Sequence, residues 1–240
     1  MMGGRFSLAM GAGTQAQAET FGIPWKSPAS RLRDSVALLK DLWMGKQANH
    51  DGEYYKVKNV RMPSTSPKKQ PPGIWILSNS PLTLRVTGEF GDGWLPSSNT
   101  PETYKEDAAK LDKISQDAGR PAADIKHGYI IFTFLSSDES EVRKAIETAG
   151  RGIIRRRLES PFGLRAIQRA GFDSKRIREE IPASMIEKFL AFGSPDQCIS
   201  TYEKFIKAGV DHLVPSFVGS EESISRSLSL LTEKVLPYFE

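Results

Sequence analysis

Gly73-Ile74-Trp75-Ile76-Leu77-Ser78-Asn79-Ser80-Pro81 is the stretch on which the fold turns. Its apolar run is too short for a helix and lies between Pro71-Pro72 and a Ser-Asn-Ser turn, the pattern of a strand buried on both faces. Pro81 then suits the first turn of a helix running to about Glu89. A strand feeding directly into a helix is the repeating unit of a parallel α/β sheet. The same unit recurs outward from this point. Upstream, the apolar run from Arg5 to Met10 ends in Gly11-Ala12-Gly13, and after a polar stretch a helix carries Leu32, Val36 and Leu39 on one face. Ser27 is expected as its N-cap, Pro28 in its first turn and Gly45 as its stop. A connector with Pro63, Pro67, Pro71 and Pro72 follows, in which Gly52-Glu53-Tyr54-Tyr55 is expected to turn a short hairpin. Downstream come a short strand Gly93-Trp94-Leu95-Pro96, a helix from Pro101 to Ala118, a strand from His127 to Leu135 and a helix from about Glu139. From Gly150 to Gly193 the alternation breaks into short helical pieces punctuated by Pro161 and Pro182, expected as a helical insertion at 150–193 within a single domain spanning 1–240. It resumes with a helix on Ile199, Tyr202 and Ile206, a strand from Leu213 to Val218, and a closing helix on Ile224, Leu228, Leu231 and Val235.

The 240 residues are close to the about 250 of one (β/α)8 barrel, yet only about five strand-helix units can be counted where a closed barrel has eight. With 39% hydrophobic and 26% charged residues, 20 Gly and 15 Pro, the chain is of the ordinary globular class, which excludes collagen-like and largely disordered chains. The single cysteine, Cys198, forms no internal disulfide or Cys-rich metal site and favours a cytoplasmic compartment. No apolar run approaches the about 20 residues of a membrane span, and the Met1-Met2-Gly3-Gly4 start does not read as a secretory signal. A net charge of +4 fits a solvated basic surface and does not indicate a nucleic-acid partner. There is no Ser-His-Asp order and no metal-ligand spacing, so hydrolytic and metal-dependent chemistry are not expected.

Several phrases, taken in order, resemble the luciferase-like monooxygenase superfamily: Arg5 to Asp34, Gly52-Glu53-Tyr54-Tyr55, Pro72-Gly73-Ile74-Trp75-Ile76 and Gly91-Asp92-Gly93-Trp94. The pattern Gly11-Ala12-Gly13, Glu19, Phe21-Gly22, Trp25 and Pro28 is most similar to its deazaflavin-dependent branch, which includes methylenetetrahydromethanopterin reductases and phthiodiolone ketoreductases. Phe192-Gly193-Ser194-Pro195-Asp196 and Gly209-Val210-Asp211-His212-Leu213 support the same placement. The resemblance implies a (β/α)8 TIM-barrel type fold in which the strand before Gly11 is the fourth. The expected fold is therefore α/β, N-terminally incomplete, holding about strands 4 to 8, with the helical insertion before the last strand. An open first strand and uncovered apolar surface favour self-association, so a homo-oligomer is expected.

The resemblance implies an oxidoreductase that moves a hydride between the deazaflavin coenzyme (F-420) and a carbonyl or imine-like carbon of a small-molecule substrate. Two alternatives stay open: an FMN-dependent monooxygenase, and an inactive fragment or non-catalytic ligand-binding relative. In such barrels the chemistry sits at the C-terminal ends of the strands. Ser78, Asn79 and Ser80 before Pro81 form a candidate phosphate loop, although Ser80 stands where the family often has Gly and is equally suited to be an N-cap. Gly11 and Gly13, without Cβ atoms, would let a planar ring approach the backbone. Glu19 matches an acidic residue that acts as proton donor in several relatives; Ala18 replaces the Asn that precedes it there, and a working donor needs burial. Ser97, Ser98 and Asn99 are candidates for cofactor hydroxyls or phosphate, or a polar loop and cap. Trp94 is expected in the core, and His127 and His212, at the starts of strands, in structural roles; His50, in the connector, is uninformative. The basic run Arg151 to Arg157, with Arg165 and Arg169, reads either as a lid over an anionic group or as a solvated helical face.

Overall fold

The computed structural model describes residues 6–45, 47–62 and 71–240. The first expected strand's Arg5, the Met1 to Gly4 start, and Pro63 and Pro67 of the connector lie outside the described residues. Two compact units divide the chain, one holding residues up to Pro96 with Lys110–Lys126, the other Ser97–Ala109 with His127–Glu240.

The first unit is built from β1 (Ser7–Gly11), α1 (Gln15–Thr20), α2 (Pro28–Trp43), β2 (Gln47–Asp51), β3 (Lys56–Arg61), β4 (Gly73–Leu77), α3 (Pro81–Phe90) and β5 (Gly93–Trp94). The end of α4 (Pro101–Asp117) also belongs here. β1 lies parallel to β4 from Ser7 opposite Gly73 to Gly11 opposite Leu77, and β5 is parallel to β4 through Trp75–Gly93 and Ile76–Trp94. Leu32 and Val36, one helical turn apart on α2, pack with Ile74, Ile76 and Val86 in one buried cluster, with Leu39 against its edge. Each such side chain contributes about 1.5–3 kcal/mol of burial. Arg120, just past α4, donates to the carbonyls of Gly88 at 2.8 Å and Gly91 at 2.7 Å, supplying partners that the last turn of α3 cannot find within the helix. The antiparallel hairpin β2–β3 turns at Gly52–Tyr55 as expected.

The second unit opens with the first half of α4 and continues through β6 (Lys126–Leu135), α5 (Glu139–Ala145), α6 (Arg151–Glu159), α7 (Pro161–Arg169), α8 (Ser174–Glu179), α9 (Ala183–Phe189), β7 (Ala191–Gly193), α10 (Pro195–Lys207), β8 (His212–Phe217), α11 (Glu221–Leu230) and α12 (Leu236–Phe239). β6 is parallel to β8 over Gly128–Thr133 and to β7 over Thr133–Leu135. Tyr129 on β6 is stacked on Phe205 at 4.2 Å between ring centroids and meets Tyr104 edge-on at 5.7 Å. Helices α6 to α9 close around their own cluster of Ile153, Ile154, Leu158, Ile167, Met185 and Phe189.

The fold is thus α/β with parallel strands and intervening helices, as the alternation requires. Local details differ from the sequence reading. The polar stretch after Gly13 contains helix α1, fixed by a Thr14–Gln17 capping box. Ser27 precedes α2 but sits in the left-handed region (φ 48°), and its side chain makes no capping bond. β5 is two residues long, with the Leu95 N–H still bonded to the Ile76 carbonyl at 2.9 Å before Pro96, which has no N–H to extend the pairing, and β7 is an additional strand. No helix among the described residues is long and apolar enough to cross a membrane.

Candidate functional site

In the first unit, the parallel pairing of β1 and β4 sets Gly11 opposite Leu77, so the loops leaving both strands start side by side. The β1 loop passes through Gly13 at φ 74°, a conformation glycine adopts without Cβ strain. Thr14 then caps α1: its hydroxyl accepts the Gln17 N–H, and the Gln17 carboxamide oxygen accepts the Thr14 N–H. The turn thus fixed forms one wall of a cleft of about 240 Å3 whose lining includes Gly11, Gly13, Gln17, Phe21, Trp25 and Arg31. Its lining of small residues, two aromatic rings and one cation suits a flat, largely apolar ligand. Arg31 is itself held over the Tyr54 ring at 4.8 Å. Glu19 is not among the lining residues; it is exposed on α1, its carboxylate accepting the Gln15 amide at 2.8 Å.

On the β4 side, Ser78 is buried, its hydroxyl donating to Thr83 Oγ1 at 3.0 Å and its carbonyl accepting the Trp94 indole N–H at 3.3 Å. Trp94 is accordingly a core residue, 1% exposed. Ser80 is the N-cap of α3: its hydroxyl accepts the Thr83 N–H at 3.2 Å, and its own N–H goes to Thr83 Oγ1 at 3.2 Å. Pro81 carries no N–H. An anion at this helix start would therefore compete with the Ser80–Thr83 box, an exchange of about 1 kcal/mol. Asn79 lies exposed between the two serines.

Ser97 and Ser98 belong to the second unit and are half-buried. Their loop is tied at three points. The Ser97 carbonyl accepts Arg157 Nη2 at 2.6 Å, the Asn99 carbonyl accepts the Tyr129 hydroxyl at 2.6 Å, and the Asn99 amide donates to Asp107 at 2.9 Å. Thr100 and Thr103 then cap the start of α4 reciprocally. Burial pushes the Tyr129 hydroxyl up to about 12, against the opposing pull of Arg157 and the bond to Asn99, so it donates as a neutral phenol at pH 7.

His127 and His212 stand at the beginnings of β6 and β8, with His212 exposed and bonded to Asp211. The arginine run divides. Arg155, Arg156 and Arg165 are exposed, Arg169 is ion-paired to Asp107 and Glu106, and Arg157 is buried. Sequence reading missed Asp34 and His50. Asp34, buried on α2, accepts the Tyr54 and Tyr55 N–H groups at 2.7 and 2.9 Å and contacts His50 Nε2 at 2.5 Å. The N–H groups of Tyr54 and Tyr55 in the turn were the available signal, but their acceptor lies 20 and 21 residues away.

The sequence pattern of the luciferase-like monooxygenase family matches residues 1–212. An F420-dependent glucose-6-phosphate dehydrogenase of Amycolatopsis mediterranei is 27% identical over 98% of this chain and 69% of its own length. A 5,10-methylenetetrahydromethanopterin reductase of Archaeoglobus fulgidus is 26% identical over 98% and 74%. In three dimensions the chain superposes on the coenzyme F420 dependent tetrahydromethanopterin reductase from Methanopyrus kandleri with a TM-score of 0.80, at 23% identity, covering 99% of this chain and 75% of that one. The FMN-complexed oxygenating constituent of 3,6-diketocamphane monooxygenase from Pseudomonas putida gives 0.73 at 18% identity, covering 98% and 71%. The chain therefore spans about two thirds to three quarters of these relatives. The order of its elements, the loops at the ends of β1 and β4, and a family match over most of its length lead to one assignment: the chain belongs to the luciferase-like monooxygenase family.

Proposed function

We propose that this chain is a deazaflavin-dependent oxidoreductase acting on a carbonyl or imine-like carbon of a small molecule. The observation that carries the reading is its similarity, over 98% of its length, to an F420-dependent dehydrogenase and a methylenetetrahydromethanopterin reductase. When bound, the deazaflavin coenzyme supplies the hydride chemistry, and the protein binds, orients and excludes water. The cleft lined by Gly11 and Gly13 suits a planar ring: Phe21 and Trp25 supply apolar area, and Arg31 adds a positive charge. Ser78, Asn79 and Ser80 are assigned to the cofactor's polar groups, with the Ser80–Thr83 box opening to admit them. Ser97 and Ser98 are assigned to hydroxyl or phosphate contacts.

Glu19 is assigned proton transfer at its carboxylate. A general acid works shielded from water, and Glu19 is exposed here, so the role requires the bound ligands to cover it; catalytic geometry commonly tightens only in the complex. Glu19→Gln is expected to leave cofactor retention unchanged and lower turnover by about 100-fold. Unchanged turnover would remove Glu19 from the reaction.

The FMN-complexed structural neighbour keeps a second reading, an FMN-dependent monooxygenase, in view. Anaerobic mixing of the purified chain with reduced deazaflavin and a panel of ketones and imines tests the first reading. Substrate-dependent return of the oxidised deazaflavin absorbance is expected. Oxygen consumption with reduced FMN, and no deazaflavin turnover, would replace it with the second.

A further inference from the structure

Arg157 sits on α6 with about 7% of its surface exposed. Its Nη2 donates to the Ser97 carbonyl at 2.6 Å, and its guanidinium lies over the Phe189 ring at 5.0 Å. Nη1 is closed to solvent and has no hydrogen-bond partner among the described residues. Among the described residues no carboxylate pairs with it either: the group that acts on its charge is Tyr129, a phenol that is neutral at pH 7. Arg169 in the same unit shows the contrast, bonded to both Asp107 and Glu106. Burial alone holds the Arg157 guanidinium below its ordinary pKa, yet arginine stays charged in proteins. A buried cation without a counter-ion is among the costliest groups a fold can retain, and a bound anion is the direct compensation.

We infer that Arg157, with the hydroxyls of Ser97 and Ser98, forms an anion-recognition site for a phosphate or carboxylate carried by this protein's ligand. The planar guanidinium, with Nη1 left over, is suited to a forked contact with two anion oxygens. Ser97 and Ser98 are half-buried, so the anion enters from their side. It reaches the guanidinium by taking the place of the Ser97 carbonyl on Nη2, which leaves Nη1 for its second oxygen. The loop otherwise keeps its shape through the Asn99 bonds to Tyr129 and Asp107. Of the basic run, this assigns anion binding to the buried arginine and leaves Arg155 and Arg156 as solvated surface. The inference deepens the proposed function by giving its ligand an anionic group, and it rests on that reading only for the ligand's identity.

Thermal melting of the whole chain at pH 7, in sodium phosphate against sodium chloride of equal ionic strength, is the test. Phosphate is expected to raise the wild-type midpoint by a few degrees, Arg157→Met to abolish the rise, and Arg157→Lys to keep part of it. The double variant Arg155→Ala, Arg156→Ala is expected to keep all of it. Absence of a phosphate-specific rise in the wild type would overturn the site, whether or not Arg157→Met folds. So would a full rise in Arg157→Met, or its loss in the double variant. A parallel arm measures deazaflavin retention. Displacement of retained deazaflavin by phosphate assigns the anion to the cofactor, and simultaneous binding assigns it to the substrate; both support the site. Phosphate binding without deazaflavin retention would sink the cofactor reading and spare the site, and the reverse pattern would do the opposite.

Discussion

Asp34 shows how a single side chain fixes a segment that its own helix does not contain. Burial pushes its pKa up, but the Tyr54 N–H, the His50 side chain, the Tyr55 N–H and the His50 charge together outweigh this and hold it below the ordinary carboxylate value. A group with a depressed folded-state pKa contributes its stability above the unfolded value, about 3.9, and loses it as pH falls through the folded one. Asp34→Ala is therefore expected to cost roughly 2–4 kcal/mol at pH 7 in urea unfolding, since it leaves two backbone N–H groups unpaired. The gap between wild type and variant should narrow as the pH drops below about 4. A gap that stays constant down to that range would remove the charge from the account. Gly52 is the matching constraint: a Cβ there would overlap the Asp34 carboxylate, so Gly52→Ala should lower stability by about 1–3 kcal/mol in the same assay. Gly52 was legible as a turn residue, but its pairing with Asp34 was not, because the contact joins a helix to a turn through tertiary structure alone.

Among the elements, those that were legible carry either a periodic apolar face or a start signal confirmed by their neighbours. α2 has Leu32, Val36 and Leu39; β4 has an unbroken apolar run; α3 and α10 have Ser-Pro at their starts. α1 escaped notice because it has six residues and one buried side chain, Ala18, so no period can develop and the Thr14–Gln17 box alone fixes it. β7, at three residues, is shorter than any pattern that could reveal it. Ser27 misled for a different reason: its residue type favours an N-cap, but its left-handed backbone turns the side chain out of that role. Capping where it does occur is testable. Ser194 accepts the Gln197 N–H while Gln197 reaches back to the Ser194 N–H, so Ser194→Ala should destabilise the fold by about 1 kcal/mol. An unchanged urea midpoint would mean that the box adds nothing to α10.

For the molecule as a whole, the α/β class followed from alternation, whereas the family emerged from phrases in order, which composition and periodicity cannot supply. The candidate site was legible in the same two ways. Gly13 and Ser80 carry physical signals, a positive φ and a helix cap, that the structure displays directly. Arg157 could not be separated from its basic neighbours until burial distinguished it. Which cofactor binds is the claim on which the functional account depends, and equilibrium dialysis of the purified chain against equal concentrations of deazaflavin coenzyme and FMN tests it most directly. The deazaflavin absorbance is expected to be retained at about one molecule per chain, with FMN at least tenfold less, as a difference of about 1.4 kcal/mol in binding requires. Retention of FMN in preference to the deazaflavin, or of neither, would contradict it.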